Sequence, residues 1–139
     1  MPLGLMFMLI GALIAAPSTT RAQSSCLAPD SVAIPYFQSQ LVTMVTASDT
    51  ATVNYRNSIN LPSTNASSVT LVSDAATCRK AANALAAITP GGDPSPAAYV
   101  FEIGATRFVA INGRQKVHGS QYAYVFDKNF VRLASFPAP

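Results

Sequence analysis

The chain opens on LGLMFMLIGALIAA, Leu3 to Ala16, a run of fourteen residues without a charge, and this run decides which residues are left to fold. It is long enough for the core of a signal peptide and short of the roughly 20 apolar residues that span a bilayer. Pro17, Ser18, Thr19, Thr20, Arg21 and Ala22 follow. The small residues at Thr20 and Ala22 suit cleavage before Gln23 better than Ala16 does. No Lys or Arg precedes the run, so either the amino terminus alone supplies the usual positive charge or the start codon lies upstream. A buried N-terminal helix of the mature fold is the alternative. The expectation is a cleaved signal peptide over residues 1–22 and one periplasmic or extracellular domain over residues 23–139.

Export also sets the chemistry of the two cysteines, Cys26 and Cys78. An even pair in an exported chain of this size reads as a disulfide. Lipid attachment at Cys26 is not expected. Gln23-Ser24-Ser25 does not resemble the Leu-Ala-Gly that precedes a lipidated cysteine, and the apolar run ends well before it. On a chain-entropy model the bridge contributes about 4 kcal/mol, a large share of a small domain's net stability.

A domain over 23–139 is large enough for a real core. Charged residues make up 11% of the chain and Trp is absent. Its apparent hydrophobicity comes partly from the leading run and partly from alanine, and is no argument for a membrane protein. The charge is unevenly placed. Up to Cys78 there are Arg21 and Arg56 against Asp30, Asp49 and Asp74. Beyond it come Arg79, Lys80, Arg107, Arg114, Lys116, Lys128 and Arg132 against Asp93, Glu102 and Asp127. Such a bias suits an anionic partner: a phospholipid surface, an acidic polysaccharide or an acidic protein. It falls far short of the dense basic stripe of a nucleic-acid binder. Ordinary solvated charge is the plainer reading.

Pro29 and Pro35 predict an extended leader over residues 23–35. Residues 36–47 are ambiguous. Phe37, Leu41, Met44 and Val45 recur at helical spacing, whereas Leu-Val-Thr-Met-Val-Thr has strand propensity; the regular stripe favours helix. Residues 50–56 fit a strand or a helix equally. Pro62 and small polar residues make 60–68 a loop, and Asn65-Ala66-Ser67 is a glycosylation sequon if the source is eukaryotic.

Beyond residue 68 the pattern sharpens. Val69 to Val72 reads as a short strand. Ser73 or Asp74 then caps a helix over about 74–88, with Cys78, Ala81, Ala82, Leu85 and Ile88 on its apolar face and Arg79, Lys80 and Asn83 facing outward. Thr89 to Pro94 ends it. Two hairpins follow, over 98–111 and 122–136. Gly104-Ala105 suits a two-residue type II′ turn, which would set Phe101 opposite Phe108 and Glu102 opposite Arg107. Tyr99, Phe101, Ile103, Phe108 and Ala110 would then share the core face. In the second hairpin, Asp127-Lys128-Asn129 forms the turn, with Asn129 left-handed. The expected fold class is α+β: one firm helix on a mostly antiparallel sheet of about five strands.

Catalytic signatures are lacking. His118 is the single histidine, Ser120 is its neighbour in a Gly-flanked loop, and no Gly-x-Ser-x-Gly elbow occurs. Glu102 is the single glutamate and has Arg107 as its expected partner, while the aspartates suit turns and caps. Two oxidised cysteines and one histidine offer no metal-ligand spacing, and Gly91-Gly92 lies between prolines and is no phosphate loop. No catalytic residue, cofactor or metal is expected. The leading expectation is a non-enzymatic binding or inhibitory module. Its candidate surface is Arg114, Lys116 and His118 on the loop from Asn112 to Gln121, with Lys128 and Arg132 nearby. His118 would add charge as pH falls toward its pKa. The alternative is an envelope or assembly component using a sheet edge; a small hydrolase ranks third.

Overall fold

The computed structural model describes residues 26–28, 30–88, 98–112 and 122–138, and these hold three α-helices and a five-stranded antiparallel sheet. Residues 1–25, Pro29, 89–97, 113–121 and Pro139 lie outside the described residues, and with them the expected signal peptide, the expected end of the 74–88 helix and most of the expected basic loop. The fold class is α+β. In chain order the elements are α1 (Ala33–Thr46), α2 (Thr50–Ser58), β1 (Val69–Leu71), α3 (Ala75–Ile88), β2 (Ala98–Ile103), β3 (Arg107–Asn112), β4 (Tyr122–Asp127) and β5 (Arg132–Pro137). The strands lie side by side in the order β1-β2-β3-β4-β5.

Within residues 36–56 the ambiguity resolves as two helices, 36–46 belonging to α1 and 50–56 to α2, with a break at 47–49. The α1 stripe Phe37, Leu41 and Val45 is buried, so helical spacing outweighs the strand propensity of its β-branched residues. Pro35 does not exclude α1, as the extended-leader expectation assumed. It sits in the first turn, where its missing N–H would have no intrahelical partner in any case. Asp30 starts the helix from outside, its Oδ1 accepting from Val32 N and Ala33 N at 2.8 Å each. In α2, Asp49 caps the N-terminus by accepting from Thr52 N. Asn60, at φ 62°, closes its other end. Leu61 N donates to Arg56 O and Asn60 N to Asn57 O, the paired bonds of a left-handed C-terminal cap.

The α3 helix follows its expected course, with Cys78, Ala81, Ala82 and Leu85 buried and Asp74 Oδ2 accepting from Thr77 N at 2.9 Å.

The first hairpin differs from expectation in a way that reorganises the core. Ile103 pairs with Arg107, Glu102 with Phe108 and Phe101 with Val109. Gly104, Ala105 and Thr106 therefore form a three-residue connection, with Gly104 at φ +60°. Adding one residue shifts β3 by one position and exchanges its faces. Phe108 and Ala110 thus lie opposite the Phe101 face. Arg107 donates from Nε to Asn60 O at 2.9 Å and is not the cross-strand partner of Glu102.

The exchange is tolerated because both faces are covered. On one side Phe37, Leu41 and Val45 pack with Phe101, Ile103, Val109, Ile111 and Val125. On the other, Cys78, Ala81 and Leu85 pack with Val100, Ala110, Tyr124 and Phe126. A sheet buried on both faces needs no polar alternation, so alternation cannot set its register.

In the second hairpin the left-handed residue is Phe130, at φ 60°, and not Asn129. The Asp127 carboxylate sets this turn: its Oδ1 accepts from Asn129 N at 2.8 Å and Val131 N at 3.0 Å. The Phe130 ring then stacks on Phe108, with centroids 4.5 Å apart.

Cys26 and Cys78 are disulfide-bonded, their Cα atoms 5.3 Å apart. Beside the bridge, Leu27 N donates to Ala98 O at 3.0 Å, so the leader lies along the start of β2 and is tied to α3.

Candidate functional site

Of the candidate basic surface, only Lys128 and Arg132 fall among the described residues. Arg114, Lys116 and His118 lie outside the described residues. Their loop joins the end of β3, at Asn112, to the start of β4, at Tyr122. Lys128 and Arg132 follow the opposite end of β4, a strand of six residues at ~3.3 Å each. The loop's attachment points and these two cations therefore sit at opposite ends of the sheet. Arg132, the first residue of β5, pairs with Phe126 across the sheet and is exposed.

Lys128 has other neighbours. Together with Lys80, Asn83 and Ala84 of α3, and with Asn129 and Phe130, it lines an open groove of about 450 Å³. The groove forms because α3 crosses the face of the sheet that carries Phe108 and Phe126. The β4–β5 turn then curls up beside the outward side of the helix, with Phe130 wedged against Phe108. Lys80 and Asn83 are the residues that sequence pattern left as mere solvent-facing positions. Nothing local to α3 marks them, since their role depends on a turn almost fifty residues later.

Two carboxylates lie near these ammonium groups. Asp127 is spent on the backbone of its own turn. Asp74 is held below the usual carboxylate range, first by the Thr77 side chain, then by the Thr77 backbone N–H, and to a smaller degree by Lys80. It acts as a helix cap and remains ionised at neutral pH. Lys128 holds no salt bridge among the described residues. Two cations and two amides thus border the groove, with the Phe130 ring in its wall.

A second concavity, of about 370 Å³, lies beside the disulfide and is largely apolar, bordered by Leu27, Ile34, Leu71 and Tyr99 among others. Burial, and secondarily the charge of Asp30, pushes the Tyr99 hydroxyl above its ordinary pKa. It stays protonated near neutrality and offers no base. Among the described residues no three His, Cys, Asp or Glu side chains gather to hold a metal ion. Asn65 of the sequon is exposed and accepts from Ser67 Oγ at 2.8 Å.

Both sheet edges carry features that discourage strand addition. On β1, three residues long, Ser68 O accepts from Gly104 N and Val72 N donates to Val100 O. This register turns the polar groups of Val69 and Leu71 away from β2, and Gln38 Nε2 covers Val69 O at 2.8 Å. On the far side, the β4–β5 pairing is irregular between Val125 and Phe126, and β5 ends in Pro137. Shortness, side-chain cover, bulges and proline all blunt an edge. No helix among the described residues is long and apolar enough to cross a membrane.

No protein-family model matches this chain, and no curated protein or solved structure matches it either.

Proposed function

We propose that this protein is an exported, non-enzymatic binding module that takes an anionic partner in the groove between α3 and the β4–β5 turn. The observation that carries the proposal is the convergence of Lys80 and Lys128, far apart in sequence, on one concave site with Asn83 and Asn129. Like charges gathered in a cleft raise the local potential and attract counter-charged ligands. The volume falls within the roughly 300–1,000 Å³ common to small-ligand sites. Export is supported by the apolar leading run and by a disulfide of the kind that persists in oxidising compartments. Inhibition of a partner by occupying its surface is one form such binding would take. Assembly through a sheet edge is the weaker reading, given the covered β1 and the irregular, proline-ended β5.

The test compares Lys80→Ala/Lys128→Ala with Arg114→Ala/Lys116→Ala on a carboxylated cation-exchange matrix at low salt. The groove variant should elute at lower salt than the wild type, and the loop variant should lose less. Melting temperatures should barely move, because exposed charges contribute little stability. Equal retention of groove variant and wild type would overturn the proposal.

A further inference from the structure

Resting on that reading, we infer that the anionic partner is an acidic polysaccharide of the uronate type, bound as a short stretch of chain along the groove. Charge alone would admit any anion, so the argument comes from the uncharged parts of the site. A sugar ring presents a C–H face, paired hydroxyls and, in a uronate, one carboxylate. The groove presents a counterpart to each. Phe130 supplies an aromatic wall, Asn83 and Asn129 supply amides that both donate and accept, and Lys80 and Lys128 supply point charges.

The aromatic wall is built at a cost. A bulky residue at φ 60° is disfavoured relative to ordinary backbone, because its Cβ crowds the neighbouring carbonyl. The Asp127 carboxylate holds the turn that imposes this conformation, and stacking on Phe108 fixes the ring. The ring therefore borders the groove in one orientation, which is what stacking against a rigid sugar needs. Strain retained at a ligand-facing position is a reason to look for function there.

Both groove cations are lysines, point charges that pair with carboxylate and phosphate alike, so the choice between anions falls to the amides and the ring. A lipid surface would meet a flat or protruding patch more readily than a concave site flanked by amides, so the groove favours the glycan.

The experiment titrates the full-length exported protein with a galacturonate oligomer, its methyl-esterified counterpart, inorganic phosphate and phosphatidylglycerol vesicles. The variants are Lys80→Ala/Lys128→Ala, Asn83→Ala/Asn129→Ala and Phe130→Ala. The amide variant keeps the Asn129 backbone donor and leaves the turn intact, so it remains informative if Phe130→Ala unfolds. The oligomer should bind, the esterified form should not, and the amide and lysine variants should each weaken binding by about tenfold or more. Phosphate and vesicles should neither bind measurably nor compete. If the lysine variant loses retention on the carboxylated matrix while the amide variant binds the oligomer like wild type, the glycan inference is overturned and the anion-binding proposal stands. Lysine-dependent binding to vesicles, with none to the oligomer, overturns it in favour of a lipid surface. If neither matrix nor any ligand distinguishes the lysine variant from wild type, both proposals fall.

Discussion

The guanidinium of Arg56, on α2, donates from Nη1 to the carbonyl of Ala47 at 3.1 Å and to that of Met44 at 3.2 Å. These carbonyls belong to the end of α1, whose last turn holds no basic residue of its own. Arg56 is only 6% exposed, so a cation from the second helix closes the first and complements its dipole. It also fixes the sharp connection through Ala47, Ser48 and Asp49. Arg56→Ala should therefore cost about 3 kcal/mol, from charged hydrogen bonds lost and a cavity left behind. Urea titration measures this as a lower midpoint at unchanged slope. A loss within about 0.5 kcal/mol, the range of an ordinary surface change, would show that water replaces the side chain without penalty.

The Cys26–Cys78 bond closes a loop with a sequence separation of 52 and ties the leader to α3. Cys26→Ala/Cys78→Ala should lose about 4 kcal/mol on the chain-entropy model, giving a lower urea midpoint than the oxidised wild type. Cys78 is also 2% exposed, so the native protein should resist thiol-directed labelling until it is both unfolded and reduced. Rapid labelling of the native protein at both cysteines would contradict the bond.

These elements also mark what sequence made legible. The α3 helix could be read from Asp74 and a clean apolar stripe, and the disulfide from the expected export and an even cysteine count. Both are local or compositional signals. The β3 register could not be read, because it depends on which residues cover each face. Once α1 and α3 lie on opposite sides, Phe108 and Val109 are both acceptable inward residues, and the length of the Gly104 turn decides between them. The groove was half legible. Lys128 stood out as a turn cation, but its meeting with Lys80 in one groove did not, because the two lie almost fifty residues apart in sequence.

Acid should act on the helix caps. Asp49 and Asp74 both have carboxyl pKa values lowered by folding, Asp49 chiefly through the Thr52 backbone N–H and Asp74 chiefly through the Thr77 hydroxyl. A depressed folded pKa means that the unfolded chain binds protons more readily. The stabilisation is therefore complete above the unfolded value, near 4, and is lost as pH falls through the folded value. Asp49→Ala/Asp74→Ala should melt below wild type at pH 7, and the gap should narrow steadily below about pH 4. A gap of constant size down to pH 2 would mean that the carboxylates' charge contributes nothing to capping.

The conformation of Phe130 can be separated from its packing by two substitutions at the same position. Phe130→Ala removes the stack on Phe108 and the contact with Phe126, whose centroids lie 4.5 Å and 5.7 Å from its own, but leaves a Cβ on a backbone at φ 60°. Phe130→Gly removes the same contacts and also the Cβ penalty. Glycine ordinarily loses to alanine because it surrenders more backbone freedom on folding. Here the order should reverse, with Phe130→Gly more stable than Phe130→Ala by about 1 kcal/mol, although both fall below wild type by roughly the 3–5 kcal/mol of a large aromatic truncation, less whatever the half-buried ring already exposes. Paired urea titrations decide the point. If alanine proves the more stable of the two, the turn relaxes to negative φ once the ring is gone. The stack on Phe108 would then be what holds the backbone in its left-handed form, with the Asp127 carboxylate following rather than leading.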